Sequence, residues 1–512
     1  MDDRAAVQRA LDADTRETFD QRVREQAAAL RAAIENGEFD GEGFAVGLEV
    51  ECYGVDDDGR LATLPDALFG SPGRTREIGR HNVECNSTPQ PFDPEGIAAQ
   101  ASELRTAISG LREDAAAGND ARRIIADGMW TIPPAEGSHA YLGAVSEADG
   151  IVIADNMQPK PRYHAIDNAL LDHAGGSIPL PVPGTTASFP TILVESLTTS
   201  IQPHLQIPDP AGFPAAFNAA IRTLGPVLAL STNSPFLPTD CYTAVDDPER
   251  LVERTPHELR VPVFEGAVNS AGQQKAGCPQ DIDAPTDIVD RVVDDWTCGP
   301  FLREWEGEGD DGDPYWEFRH KYGTYWRWVR GIVGGDASRS VDDASAETTT
   351  GGALRIEYRP LPTQPTVDDI LALHWLVVGL LRGIVAADHP LTELAWNDAE
   401  ESFDNAVDSG LDAELHWVTA DGEQTADHDV IYDELFGLAE RGLREQGLSA
   451  ADAADRIAPI RARWDASTTP SQWKKARVRE ALDDGASLAG AIESMQRDYY
   501  ERSQRGEPFA EW

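Results

Sequence analysis

Lysine is almost missing from this chain, occurring only at Lys160, Lys275, Lys321, Lys474 and Lys475. Acidic side chains outnumber basic ones so heavily that the formal net charge is −46. A chain so poor in cations is not a nucleic-acid binder, which needs a basic footprint. The acids are dispersed rather than gathered in one segment, so a single basic partner does not account for them. A dispersed acidic coat with arginine preferred to lysine is the composition expected of a halophilic protein. In molar salt the Debye length falls to about 3 Å, and self-repulsion is screened. Cysteine is sparse too. Cys52, Cys85, Cys241, Cys278 and Cys298 are scattered, odd in number and form no C-x-x-C pair. That excludes a disulfide framework and a thiolate zinc site, and fits reduced thiols in a cytoplasm. No run approaches the ~20 apolar residues of a spanning helix, and Met1-Asp2-Asp3-Arg4 opens no signal-peptide core. A cytoplasmic protein without membrane or nucleic-acid partners is expected. A homo-oligomer is admitted but not required.

At 512 residues with 41% apolar side chains, the chain can build one large domain with appendages, or two domains. Residues from Ala5 to Asn36 read as a helical arm that closes at Gly37. Strands are expected at Phe44 to Val55, Asn82 to Asn86, Thr198 to Ile207 and Ala353 to Leu361. Helices are expected at Glu95 to Ala117, Pro214 to Leu230 and Val367 to Ala387, the last with Thr366 as N-cap. Residues 240–350 form a long acidic, Gly-rich insertion, in which Glu306 to Pro314 and Asp336 to Gly352 read as mobile loops. From Trp396 the pattern is mostly helical. The expected organisation is an arm at 1–40, a catalytic domain at 41–395 and a helical region at 396–512. Separate helices and polar-faced strands indicate α+β with an antiparallel sheet.

Chemistry concentrates on one face of those strands. In Phe44-Ala-Val-Gly-Leu-Glu-Val-Glu-Cys-Tyr53, Val46, Leu48, Val50 and Cys52 share one side, and Glu49 and Glu51 the other. Two carboxylates about 6–7 Å apart repel unless cations lie beside them. Alone, that pattern reads as a solvated strand face, but it recurs. Glu84 lies between Val83 and Cys85. His204 aligns with Gln202 and Gln206, opposite Ile201, Leu205 and Ile207. Glu357 lies between Arg355 and Arg359, opposite Leu354, Ile356 and Tyr358. Carboxylates with one imidazole suit Mg²⁺ or Mn²⁺, and Mg²⁺ completes its shell with substrate phosphates. Arginine on the same face offers a fork for phosphate. Together these strands form a platform for a nucleoside triphosphate such as ATP. There is no P-loop, no dinucleotide fingerprint in the right context, no H-E-x-x-H and no G-x-S-x-G. In Trp316-Glu-Phe-Arg-His-Lys-Tyr-Gly-Thr-Tyr-Trp-Arg-Trp-Val-Arg330, the aromatics read first as core. The sharper alternative is a wall for adenine or glutamate, with Arg327 or Arg330 reaching in.

At Gly47-Leu-Glu-Val-Glu51 the chain resembles the glutamate–cysteine ligase family, carboxylate–amine ligases with a glutamine-synthetase-like fold. Further similar segments follow in order: Glu84-Cys-Asn-Ser-Thr-Pro-Gln90, Arg162-Tyr163-His164, Thr199-Ser-Ile-Gln-Pro-His204, Leu228 to Phe236, Ile356 to Thr363, and Trp396 to Gly410. The resemblance covers roughly residues 41–415. It departs at Gln206, where related ligases often carry a second histidine, and through 240–350. It implies that Glu49, Glu51, Glu84, His204 and Glu357 bind the metal ions. Arg359 would meet the γ-phosphate, with Glu51 and Arg359 closest to the chemistry, and Arg162, with Tyr163 in the same segment, would bind the substrate carboxylate. The implied reaction joins the γ-carboxyl of glutamate to an amine, cysteine by default, through a γ-glutamyl phosphate. The alternatives are a ligase of this fold with another acid or amine, and a non-catalytic member that binds nucleotide or amino acid.

Overall fold

The structure, a computed structural model, describes residues 3–117, 120–270, 272–305, 313–334 and 352–512. Residues 306–312 and 335–351, most of the two expected loops, lie outside that set. Nine strands build the main sheet: β1 (Ala45–Val55), β2 (Arg74–Arg76), β3 (Asn82–Asn86), β4 (Gln90–Pro91), β5 (Arg123–Ile125), β6 (Ser200–Ile207), β7 (Val329–Val333), β8 (Leu354–Tyr358) and β9 (Leu361–Pro362). Their order is β7-β8-β6-β1-β3-β2, with β9 on β6 and β4 and β5 on β1. The pairings within this sheet are antiparallel. The fold is α+β, as its polar-faced strands require.

Alternation decides which side of the sheet is buried in the core. Val46, Leu48, Val50 and Cys52 of β1 join Val83, Cys85, Ile201, Leu205, Ile356 and Tyr358 in one apolar cluster. Residues of the helices Pro94–Ala116, Phe213–Ser231 and Val367–Ala387 complete it. The first helix is capped by Asp93, which accepts from Gly96 N at 2.8 Å, and the last by Thr366, which accepts from Asp369 N at 3.1 Å. By length and hydropathy, Pro210–Ser231 and Val367–Ala387 are apolar enough to cross a membrane, which corrects the expectation that no run comes near that length. Both are mostly buried inside the protein, 83% and 78% of the apolar window, because they form the layer behind the sheet. The helix Val367–Ala387 meets His428–Glu445 so closely that a Cβ on Gly383 would lie 1.9 Å from the carbonyl oxygen of Leu438.

The N-terminal arm is two helices, Asp3–Leu11 and Ala13–Glu35, separated at Asp12. Its Arg22 bridges Glu304 and Glu317, each at 2.7 Å. The described residues of the 240–350 region build several regular elements. They form the helices Pro248–Arg254, Arg260–Val268, Asp287–Asp294 and Trp316–Tyr322, together with strand β7. Apolar anchors such as Ile288, Val289 and Val292 are spaced too sparsely among acids to stand out, yet they are buried. At the other end, Arg463 pairs with Asp369 at 2.7 Å and Lys474 with Asp127 at 2.6 Å, so buried ion pairs join the late helices to the sheet domain.

Candidate active site

The face of the sheet opposite the apolar cluster gathers the acids. In register, His204 lies opposite Glu357 and Gly47, and Glu51 lies opposite Glu84. Two groups result. Glu49, His204 and Glu357 each offer a ligand atom within 4.8 Å of one another, and so do Glu51, Glu77 and Glu84. The five acidic and imidazole side chains singled out from sequence are thus together, with Glu77 added.

His204 shows what the first group is built for. Its Nε2 is 3.2 Å from Glu49 Oε1 and 3.9 Å from Glu357 Oε1. Both ring nitrogens are buried without a hydrogen-bond partner. Burial lowers its pKa to about 3, so the ring is neutral at ordinary pH and a lone pair can face the two carboxylates. An unpartnered imidazole between carboxylates is unfavourable by itself and is the donor set of a hard divalent cation. Burial, reinforced by neighbouring carboxylates, also pushes Glu49, Glu51 and Glu84 up to about 7. Glu357 behaves oppositely. Its burial is outweighed by Arg330 and Arg359, which hold it well below the usual carboxylate range.

In the second group Glu51 is fixed by Ser200 N at 2.6 Å and Gln202 Nε2 at 3.1 Å. Glu84 accepts from Thr75 Oγ1 and Asn86 Nδ2, both at 2.7 Å. These bonds set the carboxylates at the cavity, which Glu51, Glu77 and Glu84 all line. The cavity is lined by Glu49 and Glu357 of the first group, by the whole second group, and by Arg162, Tyr163, Arg260 and Arg359 among others, while His204 is not among its lining residues.

The arginines divide by position. Arg359 is 15% exposed, lies 3.3 Å from Glu357 Oε1, donates to Gln202 Oε1 and lines the cavity. Arg162 and Tyr163 open the helix Pro161–His173 on the same cavity. Arg330 also lines it, but two of its nitrogens grip Glu357, with Nη2 at 2.8 Å, so it orients a carboxylate rather than reaching outward. Arg327 is not among the lining residues. Its Nη2 donates to Gln274 O at 2.7 Å, and its guanidinium lies over Tyr325. The reason is that β7 begins at Val329, which puts Arg330 on the sheet face and leaves Arg327 just ahead of the strand, in an isolated bridge to Gly277. Of the aromatics, Trp316, Phe318, Tyr322, Tyr325 and Trp328 are core, and Trp328 also lines the cavity, together with the less buried Trp326.

Three charged lining residues were not read from the sequence: Glu77, Glu195 and Arg260. Glu77 had a faint signal. It follows Arg74-Thr-Arg76, and Thr75 pairs with Glu84 across a hairpin, so an acid seven residues before Glu84 returns to it.

Residues 45–502 match the sequence profile of glutamate–cysteine ligase family 2. Among solved structures, glutamate–cysteine ligase from Francisella tularensis in complex with AMP aligns over 91% of this chain and 90% of its own, at 14% identity and a TM-score of 0.50. A bifunctional glutathione synthetase from Pasteurella multocida aligns over 92% of this chain and 54% of its own, at 13% identity and a TM-score of 0.47. None of the curated proteins matches the chain. The first alignment shares the fold, and the profile spans nearly the whole sheet domain and the late helices: the chain belongs to glutamate–cysteine ligase family 2, a family of carboxylate–amine ligases.

Proposed function

We propose that this ligase joins the γ-carboxyl of glutamate to an amine, with cysteine the default acceptor, using ATP and passing through a γ-glutamyl phosphate. The observation that carries this is the pair of ligand groups, one with the buried, unpartnered nitrogens of His204 between Glu49 and Glu357 and one of three carboxylates, with Arg359 beside Glu357. Mg²⁺ or Mn²⁺ held by Glu49, His204 and Glu357 and by Glu51, Glu77 and Glu84 would neutralise charge on the transferring phosphoryl group. Around it the chain's own residues do the positioning. Arg330 holds Glu357 in place, and Ser200 N and Gln202 hold Glu51. Arg359 presents its fork to the terminal phosphate, and Arg162 receives the substrate carboxylate.

In the first step a γ-carboxylate oxygen of glutamate attacks the γ-phosphorus, and the bond to ADP breaks. In the second, the amine nitrogen attacks the acyl carbon, phosphate leaves, and the amine gives up a proton. Walls that exclude water, Trp326 and Trp328 among them, protect the acyl phosphate from hydrolysis. ADP release should be followed in molar KCl with glutamate and other acids against a panel of amines. Release that needs both glutamate and an amine supports the assignment. No release with any pair would replace the ligase reading by a non-catalytic binding one.

A further inference from the structure

Behind the Glu51 group lies a buried polar hub that the reaction as described does not use. Lys474, 1% exposed and carried by the late helix Pro470–Asp483, donates to Asp127 Oδ1 at 2.6 Å and to Asn233 O at 2.7 Å. Gln496, from the helix Leu488–Ser503, donates to Asp127 Oδ2 at 2.7 Å, and Tyr499 OH accepts from Asn233 Nδ2 at 2.9 Å. Two chains of hydrogen bonds lead from this hub to one residue. Asn233 Nδ2 donates to Thr363 O at 2.8 Å, and Thr363 Oγ1 donates to the main-chain carbonyl of Glu51 at 2.9 Å. On the other side, Thr199 Oγ1 donates to Asp127 O, and the next residue's amide, Ser200 N, donates to Glu51 Oε2 at 2.6 Å. Backbone and carboxylate of Glu51 are thus clamped from the same source.

We infer that Lys474 is a positioning residue that sets the Glu51–Glu77–Glu84 cation group through Asp127, Asn233, Thr363 and Thr199, making the late helices part of the site's support. The placement of the lysines agrees. Lys275, Lys321, Lys474 and Lys475 are all buried in a chain that scarcely uses lysine. A buried ammonium is costly unless fully hydrogen-bonded, and Lys474 has a carboxylate and a carbonyl within reach. Groups that orient metal ligands from behind change metal affinity by about 10- to 100-fold when removed. The inference rests on the reading of Glu51 as a cation ligand. The Glu49–His204–Glu357 group is more remote from Lys474: the bonds among the described residues reach it beyond Glu51, through Gln202 and Arg359, which lies 3.3 Å from Glu357 Oε1.

The test is Mn²⁺ binding to the full-length protein in molar KCl, with free ion read by electron paramagnetic resonance. Wild type should show at least two bound ions. A double variant, Lys474→Met with Asp127→Asn, removes the buried pair without stranding a charge. It should weaken one class of Mn²⁺ by about tenfold or more and leave the other within about twofold. Thr363→Val, which cuts one chain without touching a charge, should weaken the same class and serves if the double variant does not fold. Lys475→Met is the control. Its ammonium, on the same helix, donates to Thr255 O, and its loss should lower the melting midpoint without altering either class. Unchanged Mn²⁺ binding in a folded double variant and in Thr363→Val would overturn the inference. So would equal weakening of both classes in all three variants. A wild type that binds no Mn²⁺ would overturn the functional reading, and this inference with it.

Discussion

Replacing Arg359 with lysine keeps a positive charge near Glu357 but removes the fork. In the wild type one guanidinium nitrogen lies 3.3 Å from Glu357 Oε1 and donates to Gln202 Oε1, while the group still borders the cavity. An ammonium has three donors, but all on one nitrogen, so it cannot span Gln202 and a phosphate oxygen as the separate ends of the guanidinium fork can. Attraction to Glu357 at that distance is worth about 5 kcal/mol at an effective dielectric of about 20, so the lysine stays at the carboxylate and abandons the phosphate. Charge on the transferring group is redistributed in the transition state, so the loss falls there. Removing one such donor costs roughly 10²- to 10³-fold in kcat, or about 3–4 kcal/mol. The assay is glutamate-dependent ADP release at saturating amine in molar KCl, with kcat and the KM for ATP determined separately. The expected result is a fall in kcat of about 10²-fold with KM changed by less than about threefold. Unchanged turnover, or a loss confined to KM, would refute the reasoning.

Other consequences can be checked on the purified protein. Mn²⁺ or Mg²⁺ at about 100 times its Kd should stabilise the fold by about 2.7 kcal/mol, and Glu49→Gln should diminish the gain in the melting midpoint; equal shifts in both proteins would place the cation elsewhere. Asp167, buried and bonded by Thr191 Oγ1 and Ile192 N, is pushed up from 3.8 to about 7 by burial. Its contribution is fully present below the unfolded value and is lost as pH rises through about 7, by up to about 4 kcal/mol. Asp167→Asn should therefore gain in melting midpoint over wild type at pH 8 relative to pH 4, and a pH-independent difference would contradict this. The net charge of −46 should make the midpoint rise steeply from low salt to molar KCl; equal midpoints would remove the case for salt adaptation.

Much of the sheet was readable because β1, β6 and β8 alternate cleanly, apolar on one side and acid, imidazole or arginine on the other. Alternation assigns faces but not register. That His204 meets Glu357, and that Arg330 meets Glu357 from a strand inside the long acidic insertion, are facts of pairing between distant segments. Arg327 and Arg330 are three residues apart in one aromatic run, and only the start of β7 separates their roles. Glu77 was hidden because the three-residue β2 is too short and polar to show a period. The scarcity of lysine was plain in the composition, but its meaning is spatial. Four of the five lysines, Lys275, Lys321, Lys474 and Lys475, are the ones the interior holds.

The central claim, carboxylate activation by phosphoryl transfer at this cation cluster, is tested most directly with glutamate carrying ¹⁸O in both γ-carboxyl oxygens. The inorganic phosphate released with ADP should be analysed by mass spectrometry during turnover with the amine. Passage through a γ-glutamyl phosphate predicts one ¹⁸O in each phosphate formed, because the carboxylate oxygen that attacks phosphorus leaves with it. Unlabelled phosphate accompanying ADP and amide formation would contradict the account.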